Sequence, residues 1–270
     1  MIVLIRGGGD LASGVAVRLY RAGLRIIITE LPQPLAVRRT VSFSEAVNTG
    51  EVTIEGIRAR RVTDAGDSLR VLQILSKGSI PVLVDPEASS AQGLHPTVII
   101  DARMTKNPPE PLRHTARLFI GLGPGFTAPK DCHVVIETRR GHSLGRVIWQ
   151  GSSIPDTGVP EGLLEHRADR VLRAPADGQI ETFAQIGDHV EESQPIAQIA
   201  GLLVTAPFAG VVRGLLPAGF SVHTGLKIGD VDPRDDPSLC SFVSDKALAV
   251  GGGVLEAILS RSELRSHFWD

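Results

Sequence analysis

Aromatic residues and cysteines are scarce in this chain of 270 residues. The aromatic residues number eight Phe, two Trp and one Tyr, too few for a surface that stacks nucleic-acid bases. The formal net charge of −2 gives the whole chain no attraction to nucleic acid or to an anionic membrane. Cys132 and Cys240 form no CxxC pair and no zinc-ligand spacing. We expect two neutral, buried thiols in a reducing compartment, and neither nucleic acid nor membrane as a partner.

Long apolar runs are also missing. No segment approaches the roughly 18–20 apolar residues of a membrane-spanning helix. The first apolar run ends at Ile5 and is followed by Arg6, which makes it too short for the core of a signal peptide. Apolar residues nevertheless make up 42% of the chain, which excludes intrinsic disorder. The composition therefore predicts a soluble cytoplasmic protein with enough length for more than one domain.

The first half of the chain alternates short apolar runs with helical segments. The runs that predict strands are Ile2–Arg6, Arg25–Glu30, Ile57–Val62, Ile80–Val84, Thr97–Asp101, Arg117–Gly121 and His133–Glu137. A helical spacing after the first run ends at Gly23, and a second helix is predicted to begin at Asp64 and to bury Leu69 and Leu72. Apolar strands flanked by helices are typical of a covered parallel sheet. We predict an α/β fold, a doubly wound Rossmann-like sheet over residues 1–165.

From about Arg173 the helical spacing disappears and the chain repeats itself at an offset of 32 residues. The matched pairs are Ala174-Pro175 with Ala206-Pro207, Gly178 with Gly210, Ile180 with Val212, Gly187 with Gly219, Val190 with Val222 and Ile196 with Ile228. Two copies of a small β unit would bury their apolar faces against each other. We predict an all-β module over residues 171–232.

This repeat resembles the barrel-sandwich hybrid fold of biotinyl and lipoyl domains. That family attaches its cofactor to a lysine in the hairpin joining the two halves, expected here near Gln198–Leu203. No lysine occurs between Lys130 and Lys227. The resemblance therefore implies the fold without biotin or lipoate, and a role in docking. The last segment, residues 240–270, contains a predicted helix over Asp245–Leu259 that returns to the α/β domain.

A glycine-rich turn joins the first strand to the first helix. Its residues are Gly7, Gly8, Gly9, Asp10, Leu11 and Ala12, which match G-x-G-x-x-[GA] in a strand–turn–helix context. Such glycines permit a tight turn and a close approach to a pyrophosphate at the helix N-terminus. Glu30 ends the second strand, where an acid binds a ribose hydroxyl of an NAD-like dinucleotide. The alternative is a plain turn with Glu30 at the surface.

A second glycine turn, with Gly121 and Gly123, follows a later strand. The carboxyl ends of parallel strands meet at one edge, where we also expect Asp85, Asp101 and Arg103. A polar cluster surrounds a strand end nearby: His133, Glu137, Arg139, Arg140 and His142. No metal-ligand spacing and no Gly-x-Ser-x-Gly motif occurs. The sequence therefore assigns no metal ligand and no catalytic residue.

Five segments carry a resemblance to a known family. They are IRGGGDLASGVAVRLYRAG, TELPQPLAVRRTVSFSEAV, IGLGPGFTAPKDCHVVIETRRGHSLGRVIWQG, LKIGDVDPR and SDKALAVGGGVLEAIL. Together they resemble accessory proteins of the selenium-dependent molybdenum hydroxylase system. The Rossmann-like part of those proteins is similar to that of xanthine dehydrogenase accessory proteins. The resemblance implies a maturation factor that binds a nucleotide or the dinucleotide-like molybdenum cofactor. Its implied partners are the hydroxylase apoenzyme or its cofactor-loading proteins.

Two other functions remain open at the level of sequence. One is an NAD-dependent oxidoreductase acting on a small molecule, which requires an acid/base group near the nicotinamide; His95 and His133 are available. The other is a binding scaffold without a ligand. In the maturation hypothesis, Cys132 and Cys240 are candidate carriers of sulfur or selenium, which would require an exposed thiolate near positive charge.

Overall fold

The computed structural model describes residues 1–105, 115–155 and 169–268. The chain divides into two compact units. The first comprises Met1–Pro34, Ser42–Thr157 and Val243–Asp270, and the second comprises Leu35–Val41 and Gly158–Phe242. The predicted end of the first domain, at residue 165, lies outside the described residues.

The first unit contains both strands and helices. Its strands within the described residues are β1 (Ile2–Arg6), β2 (Arg25–Glu30), β3 (Glu51–Ile54), β4 (Ile57–Val62), β5 (Ile80–Val84), β6 (Val98–Asp101), β7 (Leu118–Leu122), β8 (Thr127–Ala128), β9 (Val134–Ile136), β10 (Val147–Ile148) and β11 (Gly151–Ser152). Its helices there are α1 (Asp10–Arg21), α2 (Glu45–Thr49), α3 (Ser68–Ser76), α4 (Ala91–Leu94), α5 (Asp245–Leu259) and α6 (Ser262–Arg265).

The large sheet is mostly parallel. Over the described ranges it has nine strands in the order β10-β9-β7-β6-β1-β2-β5-β4-β3. The strands from β9 to β4 in this order pair in parallel, whereas β10 and β3 pair antiparallel at the edges. Four predicted strands coincide with β1, β2, β4 and β5, and the other three differ by one residue at one or both ends. The predicted α/β class is confirmed at this level.

Helix α5 packs against α1 through small residues. A Cβ atom on Gly14 would lie 2.7 Å from the carbonyl carbon of Ala247, and one on Gly251 would lie 3.0 Å from the carbonyl oxygen of Gly14. Arg18 also donates a hydrogen bond from Nε to the carbonyl of Leu248 (3.3 Å). Helix α5 over Asp245–Leu259 therefore lies in the same unit as the parallel sheet.

The predicted buried face of α3 is wrong. The helix is capped by Asp67, whose side chain accepts a hydrogen bond from the N–H of Arg70. Its buried residues are Val71 and Ile74, whereas Leu69 is 74% exposed and Leu72 is 48% exposed. The segment has apolar residues on two overlapping helical faces, and the parallel sheet buries the β-branched one.

The described part of the second unit contains two small antiparallel sheets. Its described strands are β12 (Val171–Arg173), β13 (Gly178–Thr182), β14 (His189–Val190), β15 (Pro195–Ile199), β16 (Leu202–Thr205), β17 (Gly210–Leu215), β18 (Ser221–Val222) and β19 (Lys227–Asp232). Among these residues the sheet orders are β12-β19-β17-β14 and β16-β15-β13-β18. Apolar residues from strands of both sheets contribute to one core, including Ile180, Ile196, Val212 and Ile228.

The strand pairings obey the 32-residue repeat. Gly178 pairs with Val222, and its repeat partner Gly210 pairs with Val190. When the two sheet orders are written one above the other, each strand lies about 32 residues from the strand at the same position in the other sheet. The hairpin expected near Gln198–Leu203 joins β15 to β16 through Ala200 and Gly201, both with positive φ, as a two-residue type I′ turn requires.

The unit boundaries differ from the predicted 171–232 and 240–270. Residues 35–41 belong to the second unit because Leu215 donates its N–H to the carbonyl of Val37 (2.8 Å). Cys240 also belongs there, since Thr40 donates its hydroxyl to the Cys240 carbonyl (2.5 Å). The contacts join segments about 200 positions apart in the chain, which local patterns do not reveal.

Candidate functional site

The site lies at the carboxyl edge of the parallel sheet. β1 leads to β2 on one side, and the chain later crosses from β5 to β6 on the other side of β1. The ends of β1 and β6 therefore flank the topological switch point, where ligands bind in open α/β sheets. The predicted residues at this edge are Gly7 after β1, Glu30 on β2, Asp85 after β5, Asp101 on β6, Gly121 on β7 and Glu137 after β9.

The three glycines of the first turn have different surroundings. Gly7 has φ +91°, and its N–H donates to the Thr29 carbonyl (2.8 Å). A Cβ on Gly8 would lie 2.9 Å from the backbone nitrogen of Ser44. Gly9 has no heavy atom within 4 Å of such a Cβ. The chain itself thus requires Gly7 and Gly8, whereas Gly9 leaves open space at the start of α1.

The rest of the motif begins helix α1. Asp10 is the first helical residue and lies in its first turn, where a negative charge is favourable. Leu11 is partly buried and Ala12 is buried, 1% exposed. The small side chain of Ala12 lets the helix pack closely on the sheet, as the motif predicts.

Glu30 is bonded to the turn itself. Its Oε2 accepts the Gly8 N–H (2.6 Å) and its Oε1 accepts the Leu31 N–H (2.7 Å). Burial raises the pKa of the Glu30 carboxyl, and the hydrogen bonds from Leu31 and Gly8 oppose that rise. Each carboxylate oxygen has a second acceptor site, so Glu30 retains the capacity to accept a ribose hydroxyl. Its role in holding the turn was not predictable from spacing.

The second glycine turn is filled by the protein's own side chains. A Cβ on Gly121 would lie 2.6 Å from Cδ2 of Phe126, and one on Gly123 would lie 2.5 Å from the hydroxyl oxygen of Thr138. Gly123 also has φ +70°. Packing and backbone conformation therefore account for glycine at both positions, and neither presents the open space seen at Gly9.

Two buried carboxylates at the edge organise loops. Asp85 accepts hydrogen bonds from Ser89 N (3.0 Å), Ser89 Oγ (2.9 Å) and Ser90 N (2.9 Å). Burial by itself would raise the pKa of Asp85, but the hydrogen bonds from Ser90 and Ser89 outweigh it and leave the pKa below its usual value. Glu137, 2% exposed, accepts the N–H groups of Arg139 and Ile154, each at 2.7 Å.

Arg6 joins Asp101 and Arg103 at the switch point. Arg6 and Asp101 are partners in the β1–β6 register, and Nη1 of Arg6 lies 3.4 Å from Oδ2 of Asp101. Arg103 binds the same carboxylate in a fork, with Nε 3.1 Å from Oδ1 and Nη2 2.7 Å from Oδ2. Burial lowers the pKa of the Arg6 guanidinium, and the negative charge of Asp101 opposes that decrease. Arg6 was not predicted as a site residue from the sequence. The feature that could have identified it is a charged side chain at the end of an otherwise apolar strand.

The other residues of the polar cluster lie on both sides of β9: His133 precedes the strand, whereas Arg139, Arg140 and His142 follow it, beyond Glu137. His133 precedes β9 and accepts the Phe119 N–H at Nδ1 (2.8 Å), which places it at the amino edge. His95 follows α4 and precedes β6, at the same amino edge. Arg140 forms a two-point ion pair with Asp245 (2.6 and 2.7 Å), and Arg139 and His142 are exposed.

Both cysteines are buried. Cys132 is fully buried in the core beside Leu4 and Phe119. Cys240 is 4% exposed, and burial raises the pKa of its thiol. These environments oppose the exposed thiolate that a sulfur or selenium carrier requires. Within the described ranges, no three His, Cys, Asp or Glu side chains converge as a metal site.

No helix among residues 1–105, 115–155 and 169–268 has both the length and the apolar character to span a membrane.

The chain has a substantial likeness to a known protein. No protein-family model matches the chain. It is 47% identical over 258 residues to the Escherichia coli K12 protein named "Uncharacterized protein YqeB". The alignment covers 96% of this chain and 47% of that protein, so the chain spans about half the length of this relative. A product-bound structure of the ectoine utilization protein EutE (DoeB) from Ruegeria pomeroyi aligns over 85% of this chain and 84% of that chain, at 12% identity and a TM-score of 0.26, which supports no conclusion.

Proposed function

We propose that the chain is an accessory protein in the maturation of a selenium-dependent molybdenum hydroxylase. It binds a nucleotide or the dinucleotide-like molybdenum cofactor at the carboxyl edge of its parallel sheet, in the cytoplasm. It presents that ligand to the hydroxylase apoenzyme or to a cofactor-loading protein. The family resemblance of the five sequence segments suggests the pathway, and the geometry of the edge supports the binding role.

The observation that carries the proposal is that the carboxylates at this edge are bonded to groups of the protein itself. Glu30, Asp85 and Glu137 accept backbone N–H groups, and Asp101 is held by arginine. Carboxylates committed in this way shape a binding surface, whereas a general base must reach a substrate proton. The described part of the edge is thus suited to hold a ligand rather than to transform it.

The residues of the turn fit a dinucleotide. The open space at Gly9 admits a pyrophosphate close to the backbone, at a helix N-terminus, which favours an anion. Glu30 retains acceptor sites for a ribose hydroxyl. We assign Gly9, the first turn of α1 and Glu30 to the ligand, and Gly7 and Gly8 to the shape of the turn.

We further propose that the parallel sheet is Rossmann-like and doubly wound and that the second unit is a barrel-sandwich hybrid. The strand order around β1 and the repeat-related pairings of Gly178 and Gly210 support this. The hairpin residues Ala200 and Gly201 occupy the place of a carrier lysine. The module would therefore dock a protein partner without carrying biotin or lipoate.

The alternative of an NAD-dependent oxidoreductase finds less support. It would need an acid/base group near the nicotinamide, at the carboxyl edge. His133 and His95, which the sequence offered for this role, lie at the amino ends of β9 and β6.

Deletion of the gene in its native host tests the proposal. We expect normal abundance of the molybdenum hydroxylase polypeptide, with activity and molybdenum or selenium content lost and restored by the wild-type gene. Full hydroxylase activity in the deletion strain would contradict maturation. If the purified protein then oxidised a small metabolite with NAD, the oxidoreductase would replace it.

A further inference from the structure

The Arg6 side chain is buried but makes few hydrogen bonds. Only 4% of it is exposed. Its hydrogen bond to Asp101 is long, at 3.4 Å, and its buried Nε has no partner in the described part of the chain. A guanidinium has five N–H donors, and burying them without partners is costly. A structural ion pair would be expected to satisfy more of them.

Two of the three acidic groups that act on Arg6 are hydrogen-bonded to other residues. Arg103 binds both oxygens of Asp101 through its side chain and adds its own N–H to Oδ1 (3.3 Å). Asp85 also acts electrostatically on Arg6, but its carboxylate is bonded to Ser89 and Ser90. Glu87, the other acid that acts on Arg6, is exposed. Arg6 and Arg103 therefore share one closely bound carboxylate. Neither Asp85 nor Glu87 forms a hydrogen bond to Arg6 that would satisfy its remaining donors.

The arginines adjoin the glycine turn. Arg6 directly precedes Gly7, and the Ala102 N–H donates to the Arg6 carbonyl (2.9 Å). A Cβ on Gly7 would lie 3.3 Å from Cα of Arg103. The ends of β1 and β6 are thus in contact on the two sides of the switch point, beside the turn that leads to α1.

We propose that Arg6 and Arg103 form an anion site at the switch point, which takes a phosphoryl group of the ligand. This inference rests on the proposed function for the identity of the ligand, but the anion site itself is testable without it. Arginine suits this task because its planar donors match phosphate oxygens.

The test uses inorganic pyrophosphate and NAD as separate probes in calorimetric titrations of the full chain. The variants are Arg6→Met, Arg6→Lys and the control Arg21→Met, which removes an exposed ion pair with Glu55. We expect Arg6→Met to weaken pyrophosphate binding by about 10- to 150-fold, the effect of one charge-assisted hydrogen bond. Arg6→Lys should recover part of the affinity, and Arg21→Met should bind like the wild type.

Thermal unfolding without ligand separates this role from a structural one. Because Asp101 keeps Arg103, Arg6→Met should unfold at or above the wild-type midpoint while losing pyrophosphate binding. A lowered midpoint with wild-type pyrophosphate affinity would overturn the inference. If Arg6→Met does not fold, Arg103→Gln replaces it: reduced affinity supports the site, and unchanged affinity overturns it.

The two probes distinguish the two proposals. Absence of saturable pyrophosphate binding by the wild type overturns the anion site, even if NAD binds. Pyrophosphate binding that depends on Arg6, in a protein that binds no NAD, supports the anion site and removes NAD as the ligand of the proposed function.

Discussion

Adjacent glycines in the turn after β1 serve different purposes. Gly8 lies against Ser44, so a side chain there would collide with backbone. Gly9 is extended, with φ −67° and ψ −177°, and faces open space. Alanine adopts this conformation without strain. The fold therefore tolerates a methyl group at position 9. Glycine would be required there only if a ligand approaches the backbone closely.

Gly9→Ala should bind the ligand of the turn at least about 10-fold more weakly, because a displaced phosphate loses at least one charge-assisted hydrogen bond. Its thermal unfolding midpoint should match that of the wild type. Titration with NAD measures the affinity, and Gly252→Ala is the control, since Gly252 in α5 also has open space around it. Equal NAD affinity in the wild type and Gly9→Ala would remove the turn from the binding site.

At the scale of elements, the turn after β5 depends on one carboxylate. Asp85→Asn should lower the free energy of unfolding at pH 7 by about 1–3 kcal/mol, because an amide cannot accept every N–H that the carboxylate accepts. The folded-state pKa of Asp85 is lowered, so its stabilisation is present above the unfolded pKa of about 3.9 and is lost as pH falls through the folded value. The difference between variant and wild type should therefore shrink in urea unfolding at about pH 3.

Asp67→Asn is the matched control for Asp85→Asn. Asp67 caps α3, and Asn is as good an N-cap as Asp. Its stability should remain within about 0.5 kcal/mol of the wild type. A pH-independent difference for Asp85→Asn would show that the charge of Asp85 contributes nothing.

Replacing glycine by alanine should have opposite effects on stability at two positions in the helix pair α1 and α5. Gly14→Ala should destabilise the protein by about 1–3 kcal/mol, because the new methyl group meets the backbone of Ala247. Gly252→Ala should instead stabilise it by about 0.5–1 kcal/mol through helix propensity. Chemical denaturation measures both. Stabilisation by Gly14→Ala would mean that the helices are not in close contact.

Seven strands of the large sheet were predictable because each is a short apolar run between turn residues, as in β2 and β5. The edge strands β3 and β10 were not predicted. Helix α3 was predicted, but its buried face was not predictable, because Leu69 and Leu72 offer a second apolar face that only the neighbouring sheet excludes. At the site, the motif located Gly7–Ala12 and Glu30. The bond between Glu30 and Gly8, the collision of Gly121 with Phe126 and the pairing of Arg6 with Asp101 depend on distances between segments, which sequence spacing does not contain.

For the whole molecule, the repeat-related sheets predict an unmodified protein. The hairpin at Ala200 and Gly201 has no lysine, so no amine is available there for an amide bond to biotin or lipoate. Intact mass spectrometry of the protein from its native host should give the mass of the unmodified polypeptide. An added biotinyl or lipoyl mass would contradict the assignment of the module to docking.

The most direct test of the central claim is the molybdenum content of the hydroxylase purified from a deletion strain that expresses a variant of this protein. With Gly252→Ala, we expect the content found with the wild-type gene. With Gly9→Ala at equal abundance, we expect a deficit in molybdenum and in activity, because the ligand no longer fits the turn. A fully loaded hydroxylase in the Gly9→Ala strain would contradict the claim that this edge of the sheet handles the cofactor.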